Sequence, residues 1–358
     1  MSNRLRAAFA IPGDLQARTG GYGYDRRLLA ALPDAEIDVS YVALPDGFPN
    51  ADEDTLARAA RALTTVPGET LLLVDGLAFG VLPTVLLREI ANPMVVVLHH
   101  PLGLETGLSP QRRTALIASE TRALAFARRC VVTSPATARL VAEKLDYPLA
   151  RIAIAEPGTD RAAPARGSAS PTLTLFAAGS IIPRKGYDVL IAALAEIEPV
   201  PWRLIIAGNA TRSPETALAL RQQIAALDLD DRVSLRGDLD EGELDALYAR
   251  SDIFVMASHF EGYGMVLAEA MARGLPIVTT RAGATSETVP DGAALKAPPG
   301  DPAALASALR RMIEDAVLRE SCAAASWEAG QALPRWRDTA RIVADLLRTV
   351  ASERDAAP

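Results

Sequence analysis

The sequence predicts an α/β protein made of two parallel-sheet domains of similar size, and three observations carry that reading. Short apolar, β-rich runs alternate with helix-length stretches; the alternation breaks at a small Pro/Gly/Ser-rich segment and then restarts. The third observation is length: 358 residues exceed what one hydrophobic core ordinarily supports. An apolar fraction of 49%, swollen by alanine, is ample for two cores.

In chain order, "LRAAFAI" (5–11), "DVSYVAL" (38–44), "TLLLVD" (70–75), "MVVVLHH" (94–100), "RCVVTS" (129–134) and "RIAIAEPG" (151–158) read as buried strands. Helical patterns at Asp25–Leu32, Asp52–Leu63, Pro110–Ala127 and Ala136–Leu145 fall between several of them. Strands that are apolar throughout, rather than alternating, belong to a sheet covered on both faces. "DRAAPARGSASPT" (160–172) reads as a linker. The pattern then resumes with "TLTLFAAG" (172–179), "WRLIIAG" (202–208), "RVSLRG" (232–237), "DIFVMAS" (252–258) and "LPIVTT" (275–280). The tail "ALPRWRDTARIVADLLRTVASE" is a helix with Trp336, Ile342, Val343, Leu346, Leu347 and Val350 on one face.

Thirty-seven Lys and Arg against 44 Asp and Glu give a net charge of −7, which argues against a nucleic-acid binder and leaves room for a local basic pocket. Cys130 and Cys322 are no disulfide framework, so a reducing, cytoplasmic compartment is expected. "MSNRLRAAFAIPGD" lacks the apolar stretch of a signal peptide, and no run reaches the roughly 18 apolar residues of a membrane helix. Peripheral contact with a membrane through a helix face stays open, as does the oligomeric state.

Ligands of open α/β sheets bind at the carboxyl ends of strands, and four such ends carry unusual residues. "RTGGYGYDRRLL" (18–29) has Gly20, Gly21 and Gly23, which fit a phosphate's approach or a plain flexible loop; the spacing is not that of a dinucleotide fingerprint. "VVVLHHPLGLETG" (95–107) puts His99 and His100 after an apolar run with no metal-ligand cluster beside them, so no metal site is expected. "AAGSIIPRKGYDVLIAAL" (177–194) sets Arg184 and Lys185 before a helix N-terminus, suited to a diphosphate or to solvent. "HFEGYGMVLAEAMARGLPIVTT" (259–280) places Glu261 among Gly262 and Gly264 and Glu269 on the following helix, with Val266, Ala270 and Met271 inward.

These segments together resemble the retaining glycosyltransferases of family 4. "SHFEGYGMVLAEAMARGLPIVTT" is similar to the family's E-x7-E region; "GGYG", "VVVLHH", "EPGTD" and "GSIIPRKGYDVLIAAL" fall in family order, and "RVSLRGDLDEGELDALYARSDIFVMAS" resembles the segment before the glutamates. The resemblance implies a GT-B architecture: two Rossmann-like domains facing a cleft, the last helix returning to the first. The domains would be 1–165 with about 335–358, binding acceptor, and 166–334, binding a UDP- or GDP-linked sugar donor. It implies that Glu269 bonds the ribose and Glu261 the transferred sugar, with backbone donors from Gly262, Tyr263, Gly264, Met265 and Val266. Arg184 and Lys185 would neutralise the diphosphate in place of a metal, and no further cofactor is implied. Gly21 and Gly23 would approach the same phosphates, His99 would stand beside the reacting sugar, and Gly208 and Arg236 would lie near the base. His100 and Asp75 would belong to the acceptor side.

A dinucleotide-dependent oxidoreductase requires a glycine fingerprint that is missing. A GT-B epimerase or phosphorylase shares the scaffold, but the E-x7-E pattern with its Arg/Lys loop favours transfer. A non-catalytic sugar-nucleotide binder would keep Glu269 and show neither transfer nor donor hydrolysis.

Overall fold

The structure, a computed structural model, describes residues 4–197 and 199–355. It divides into two compact units, Met1–Gly158 with Pro334–Pro358, and Thr159–Leu333.

Unit 1 is built on six parallel strands: β1 (Leu5–Pro12), β2 (Ile37–Leu44), β3 (Leu71–Asp75), β4 (Met94–Leu98), β5 (Arg129–Val132) and β6 (Ile152–Ile154). Their order across the sheet is β2-β1-β3-β4-β5-β6. Every residue of β3 and β4 is buried, as a strand sandwiched between helical layers must be. The register pairs Ala10 with Val74 and Asp75 with Val97, which brings the carboxyl ends of β1, β3 and β4 level with one another. Strand order reverses between β1 and β3.

Unit 2 repeats the plan with β7 (Leu173–Ala178), β8 (Trp202–Ala207), β9 (Val233–Gly237), β10 (Ile253–Met256), β11 (Ile277–Thr280) and β12 (Ala294–Ala297). Their order is β12-β11-β10-β7-β8-β9, with all recorded pairs parallel, which is the Rossmann order reversing between β7 and β10. Its core holds Leu175, Leu190, Trp202, Leu204, Ile206, Ile253 and Val255.

The differences from the sequence reading have local causes. The twelfth strand, "ALKA", is too short and too plain to be read as one. The glycines of "GGYG" form the first turn of helix Gly20–Ala31, because Thr19 caps it by accepting a hydrogen bond from the Tyr22 N–H. Residues 160–171 form no helix or strand but are not a free tether. Ala165 N–H donates to Arg273 O (2.8 Å), Arg166 N–H to Ala249 O (2.7 Å) and Ser168 N–H to Asp252 Oδ1 (2.9 Å). The last helix, Trp336–Asp355, belongs to unit 1: the Trp336 ring meets Tyr24 edge-on at 5.6 Å, and Thr339 Oγ1 donates to Glu156 O at 2.7 Å. Its buried stripe is Trp336, Ala340, Val343, Leu347 and Val350. Ile342, expected on that face, is 42% exposed, because it lies about 120° round the helix from the stripe. Among the described residues no helix is long and apolar enough to cross a membrane.

Candidate functional site

Both reversals of strand order carry a cluster of charged side chains. In unit 2 the loop after β7 makes a short 3-10 turn, Pro183–Lys185, before helix Tyr187–Ala195. Gly186 ends that turn at φ +61°, and a Cβ there would lie 2.2 Å from Ala257 O, so only glycine lets the turn close against the end of β10. Gly208, after β8, is equally confined: a Cβ would meet Gly179 O at 1.9 Å. His259 N–H donates to Arg184 O (2.8 Å), and the Arg184 guanidinium donates to Phe260 O (2.9 Å).

The result is a buried ion cluster. Lys185 Nζ lies 2.7 Å and Arg184 Nη1 3.5 Å from Glu261 Oε1, and the Ser258 hydroxyl donates to the same oxygen at 2.7 Å. Burial pushes the Glu261 carboxyl up, but the Lys185 and Arg184 charges outweigh it and hold the group below the usual carboxylate range. Glu261 therefore does not cap the following helix, Met265–Ala272, whose N-cap is Gly264 with no side-chain hydrogen bond.

Glu269 occupies a separate environment. Its Oε2 accepts from the Tyr248 hydroxyl at 2.8 Å, and Arg273 stacks over the Tyr248 ring at 4.5 Å. Burial leads in raising the Glu269 carboxyl above its ordinary value. The two glutamates, eight positions apart, thus do different things: one is bound by cations and the other by a phenol. On the same helix Ala270 and Met271 are buried as read, whereas Val266 is half-buried. Tyr263 is buried and Gly262 half-buried, and Met265 begins the helix. Arg236 stands exposed on edge strand β9, two strands from the reversal.

In unit 1 the reversal gathers Asp25 from helix Gly20–Ala31, Asp75 from the end of β3 and His99 immediately after β4. His99 Nε2 is 2.9 Å from Asp25 Oδ1 and 3.5 Å from Asp75 Oδ2. Asp75 Oδ1 accepts from Leu77 N–H at 2.6 Å. His99, rather than His100, is the histidine that joins this group, and Gly21 lies beside it: a Cβ there would come 3.3 Å from the ring. Among the described residues these three are the one set whose ligand atoms lie close enough, within 4.8 Å of one another, to hold a metal ion.

Sequence reasoning missed Asp25, Ser258 and Tyr248. An acid in the first turns of a helix ordinarily reads as favourable to the helix dipole, and only its complete burial marks Asp25 as different. Ser258 adjoins a segment already singled out. Tyr248 is the one large ring in an otherwise small and acidic helix, Glu241–Arg250, which is a signal that was present.

In open parallel α/β folds the switch point is where ligands bind, and in unit 2 it carries two cations and a carboxylate. Comparison adds a likeness: residues 160–328, nearly all of unit 2, match the family described as Glycosyl transferases group 1. A D-inositol 3-phosphate glycosyltransferase of Kineococcus radiotolerans is 27% identical over 283 residues, covering 71% of this chain and 64% of that protein. The chain thus spans less than two thirds of that relative's length. Among solved structures, the sucrose-phosphate synthase of Thermosynechococcus elongatus shares the fold with a TM-score of 0.82 at 22% identity, over 97% of this chain and 100% of that one. HepE of Anabaena, solved with UDP and glucose, does so with a TM-score of 0.77 at 20% identity, over 98% and 100%. The fold is therefore that of GT-B glycosyltransferases.

Proposed function

We propose that this chain is a retaining, metal-independent glycosyltransferase that moves a sugar from a UDP- or GDP-linked donor to an acceptor hydroxyl in the cytoplasm. The observation that supports it most is the Arg184–Lys185–Glu261 cluster at the β7/β10 reversal, inside the segment that matches the family. Breaking a glycosyl–phosphate bond builds negative charge on the departing diphosphate, and fixed cations with backbone N–H donors stabilise it where it forms. In this reading Arg184 and Lys185 take the diphosphate, and Glu261, relieved of those cations, offers its lone pairs to sugar hydroxyls. Gly262, Tyr263, Gly264, Met265 and Val266 lend backbone groups, Glu269 takes the ribose, and Gly208 and Arg236 lie toward the base. Unit 1 takes the acceptor on the side of His100, with Gly21, Gly23 and His99 serving the reaction and the buried Asp75 acting through His99. Retention follows from front-face attack, with the leaving phosphate accepting the acceptor's proton.

The test is a thermal-shift screen against UDP, GDP, ADP and dTDP and their sugars. The matching nucleotide at 100 times its Kd adds about 2.7 kcal/mol of stability, and incubation with the matching sugar nucleotide yields transfer or slow donor hydrolysis. EDTA leaves both unchanged. Loss of activity in EDTA with recovery in Mn²⁺ would refute metal independence, and silence toward every nucleotide would refute the function. Glu269→Ala is expected to weaken the free nucleoside diphosphate and the donor together.

A further inference from the structure

We propose that Asp25 is a positioning residue for His99. Together with Asp75 it holds the imidazole in one orientation as a doubly protonated cation, so that His99 acts as a fixed N–H donor and not as a base. The inference rests on the reading of His99 as a residue that serves transfer, and it adds the group that decides what His99 can do.

The hydrogen-bond inventory fixes the first proton. Nε2 faces two carboxylate oxygens, at 2.9 Å and 3.5 Å, and carboxylates only accept, so Nε2 carries hydrogen. The surroundings fix the second. Asp25 and Asp75 are 0% and 3% exposed, and their charges act on the ring with little solvent to screen them. Burial alone would favour the neutral imidazole, but the Asp25 charge and hydrogen bond, with those of Asp75, outweigh it and lift His99 to about 10. The ring's orientation is set as tightly as its charge. Tyr24 packs edge-on against it at 5.1 Å, Gly21 leaves it just enough room, and Tyr24 is itself held by its hydroxyl on Ala155 O at 3.0 Å. With Nε2–H committed to Asp25, Nδ1–H is the donor left for a ligand, on a side chain that is 21% exposed.

Asp25 does more in this cluster than its partner. Burial, ahead of the neighbouring Asp75, raises its own carboxyl to about 7, whereas the His99 hydrogen bond and charge overcome burial and hold Asp75 low. Asp25 Oδ2 is buried and accepts no hydrogen bond, and as the protonated acid Asp25 can donate to Asp75. Tyr24, whose phenol is pushed up by burial, faces the ring, and Arg27 lies over Trp336, 5.4 Å from that ring's centroid. The three groups titrate as one unit, and the proton on Nε2 answers the two carboxylates that a divalent ion would otherwise bridge.

The chain has three histidines, His99, His100 and His259, so ¹⁵N-histidine labelling of the whole protein gives three imidazoles, assigned with His100→Asn and His259→Asn. His99 is expected to show imidazolium shifts on both nitrogens from pH 6 to pH 9. In Asp25→Asn its midpoint falls by more than one pH unit, in Asp75→Asn it also falls, and Asp25→Glu restores part of the shift. In transfer assays kcat of Asp25→Asn then drops about tenfold per pH unit above the lowered midpoint, while KM for the donor stays level. A wild-type His99 titrating near its ordinary value of about 6.5, or one unmoved by Asp25→Asn, overturns the proposal. So does a stoichiometric divalent ion in the purified protein that Asp25→Asn releases. If Asp25→Asn does not fold, the wild-type and Asp75→Asn titrations decide alone. None of the spectra requires a nucleotide to bind, so a failure of the glycosyltransferase reading shows itself separately, in the thermal-shift screen.

Discussion

The two units place charge at the same topological position with opposite composition. Where strand order reverses in unit 1, two carboxylates close on one imidazole; where it reverses in unit 2, two cations close on one carboxylate. The surplus in unit 2 is positive and offers itself to an anion. The surplus in unit 1 is negative and is spent internally, on keeping a ring protonated. A shared scaffold thus fixes where chemistry happens while the side chains at the strand ends fix which chemistry it is.

The sharpest way to break this comparison is to remove a cation from unit 2. Lys185→Ala is expected to weaken binding of the nucleoside diphosphate by about 1.5–3 kcal/mol, or roughly 10- to 150-fold, as loss of a charge-assisted hydrogen bond typically does. Calorimetric titration with the nucleotide identified by thermal shift reads this directly, and the His99 imidazole spectrum should not move. Unchanged nucleotide affinity would make the unit 2 cluster a structural ion pair and remove the contrast.

The contrast also explains what could be read in advance. The unit 2 cluster comes from two short segments, "PRKG" and "HFEGYG", each holding its chemistry within a few residues, so their composition alone attracts notice. Arg184 and Lys185 are neighbours, and the glycines that let them approach Glu261 stand beside them. Asp25, Asp75 and His99 are separated by 50 and 24 positions and meet only because the strand order β2-β1-β3-β4 brings their elements together. Two of the three were singled out as individuals, His99 by its place after an apolar run and Asp75 through the resemblance, as an acceptor-side residue. Nothing local showed that they share a partner. The central strands were legible because a doubly covered parallel strand is apolar throughout, as β3, β4 and β10 are; the edge strands β2 and β6, read as buried, are largely half-buried or exposed, and β12, whose residues carry no such run, was not read at all.

A second test sets the units against each other through pH. In unit 1, folding raises Asp25 to about 7 and His99 to about 10. For Asp25 the folded chain keeps a proton the unfolded chain releases, so stability falls as pH rises from about 4 to about 7. For His99 the stabilisation is complete below about 6.5 and is lost as pH rises toward about 10. In unit 2, folding depresses Glu261, so its stabilisation is present above the unfolded value and is lost as pH falls through the folded one. Each such proton changes stability by about 1.4 kcal/mol per pH unit inside its window. Scanning calorimetry across pH 3–10 is expected to show Asp25→Asn flattening the loss on the alkaline side, and Glu261→Gln flattening the loss on the acid side. A mutation that flattens the opposite limb would show that the charges of the two clusters are assigned wrongly.

The smallest expected effect distinguishes two kinds of carboxylate within unit 2. Glu261 is held by cations that a diphosphate can claim, but Glu269 is held by Tyr248, a neutral partner that no anion displaces. If Glu269 takes a ribose, the Tyr248 hydroxyl serves to fix one carboxylate oxygen so that the other points at the ligand. Tyr248→Phe keeps the ring stacking with Phe254 and the edge contact with Phe176, and it keeps Arg273 over its face, so packing changes little. What is lost is one buried hydrogen bond, worth about 0.5–1.5 kcal/mol, or roughly 2- to 12-fold in nucleoside diphosphate affinity. The loss should also depend on pH. The Tyr248 hydroxyl favours the ionised form of Glu269, so without it the carboxyl rises further, and the deficit in affinity should widen as pH falls. A deficit that is the same at every pH would mean that the phenylalanine disturbed packing alone. No deficit would mean that Glu269 does not need its oxygen fixed, and the ribose assignment would lose its support.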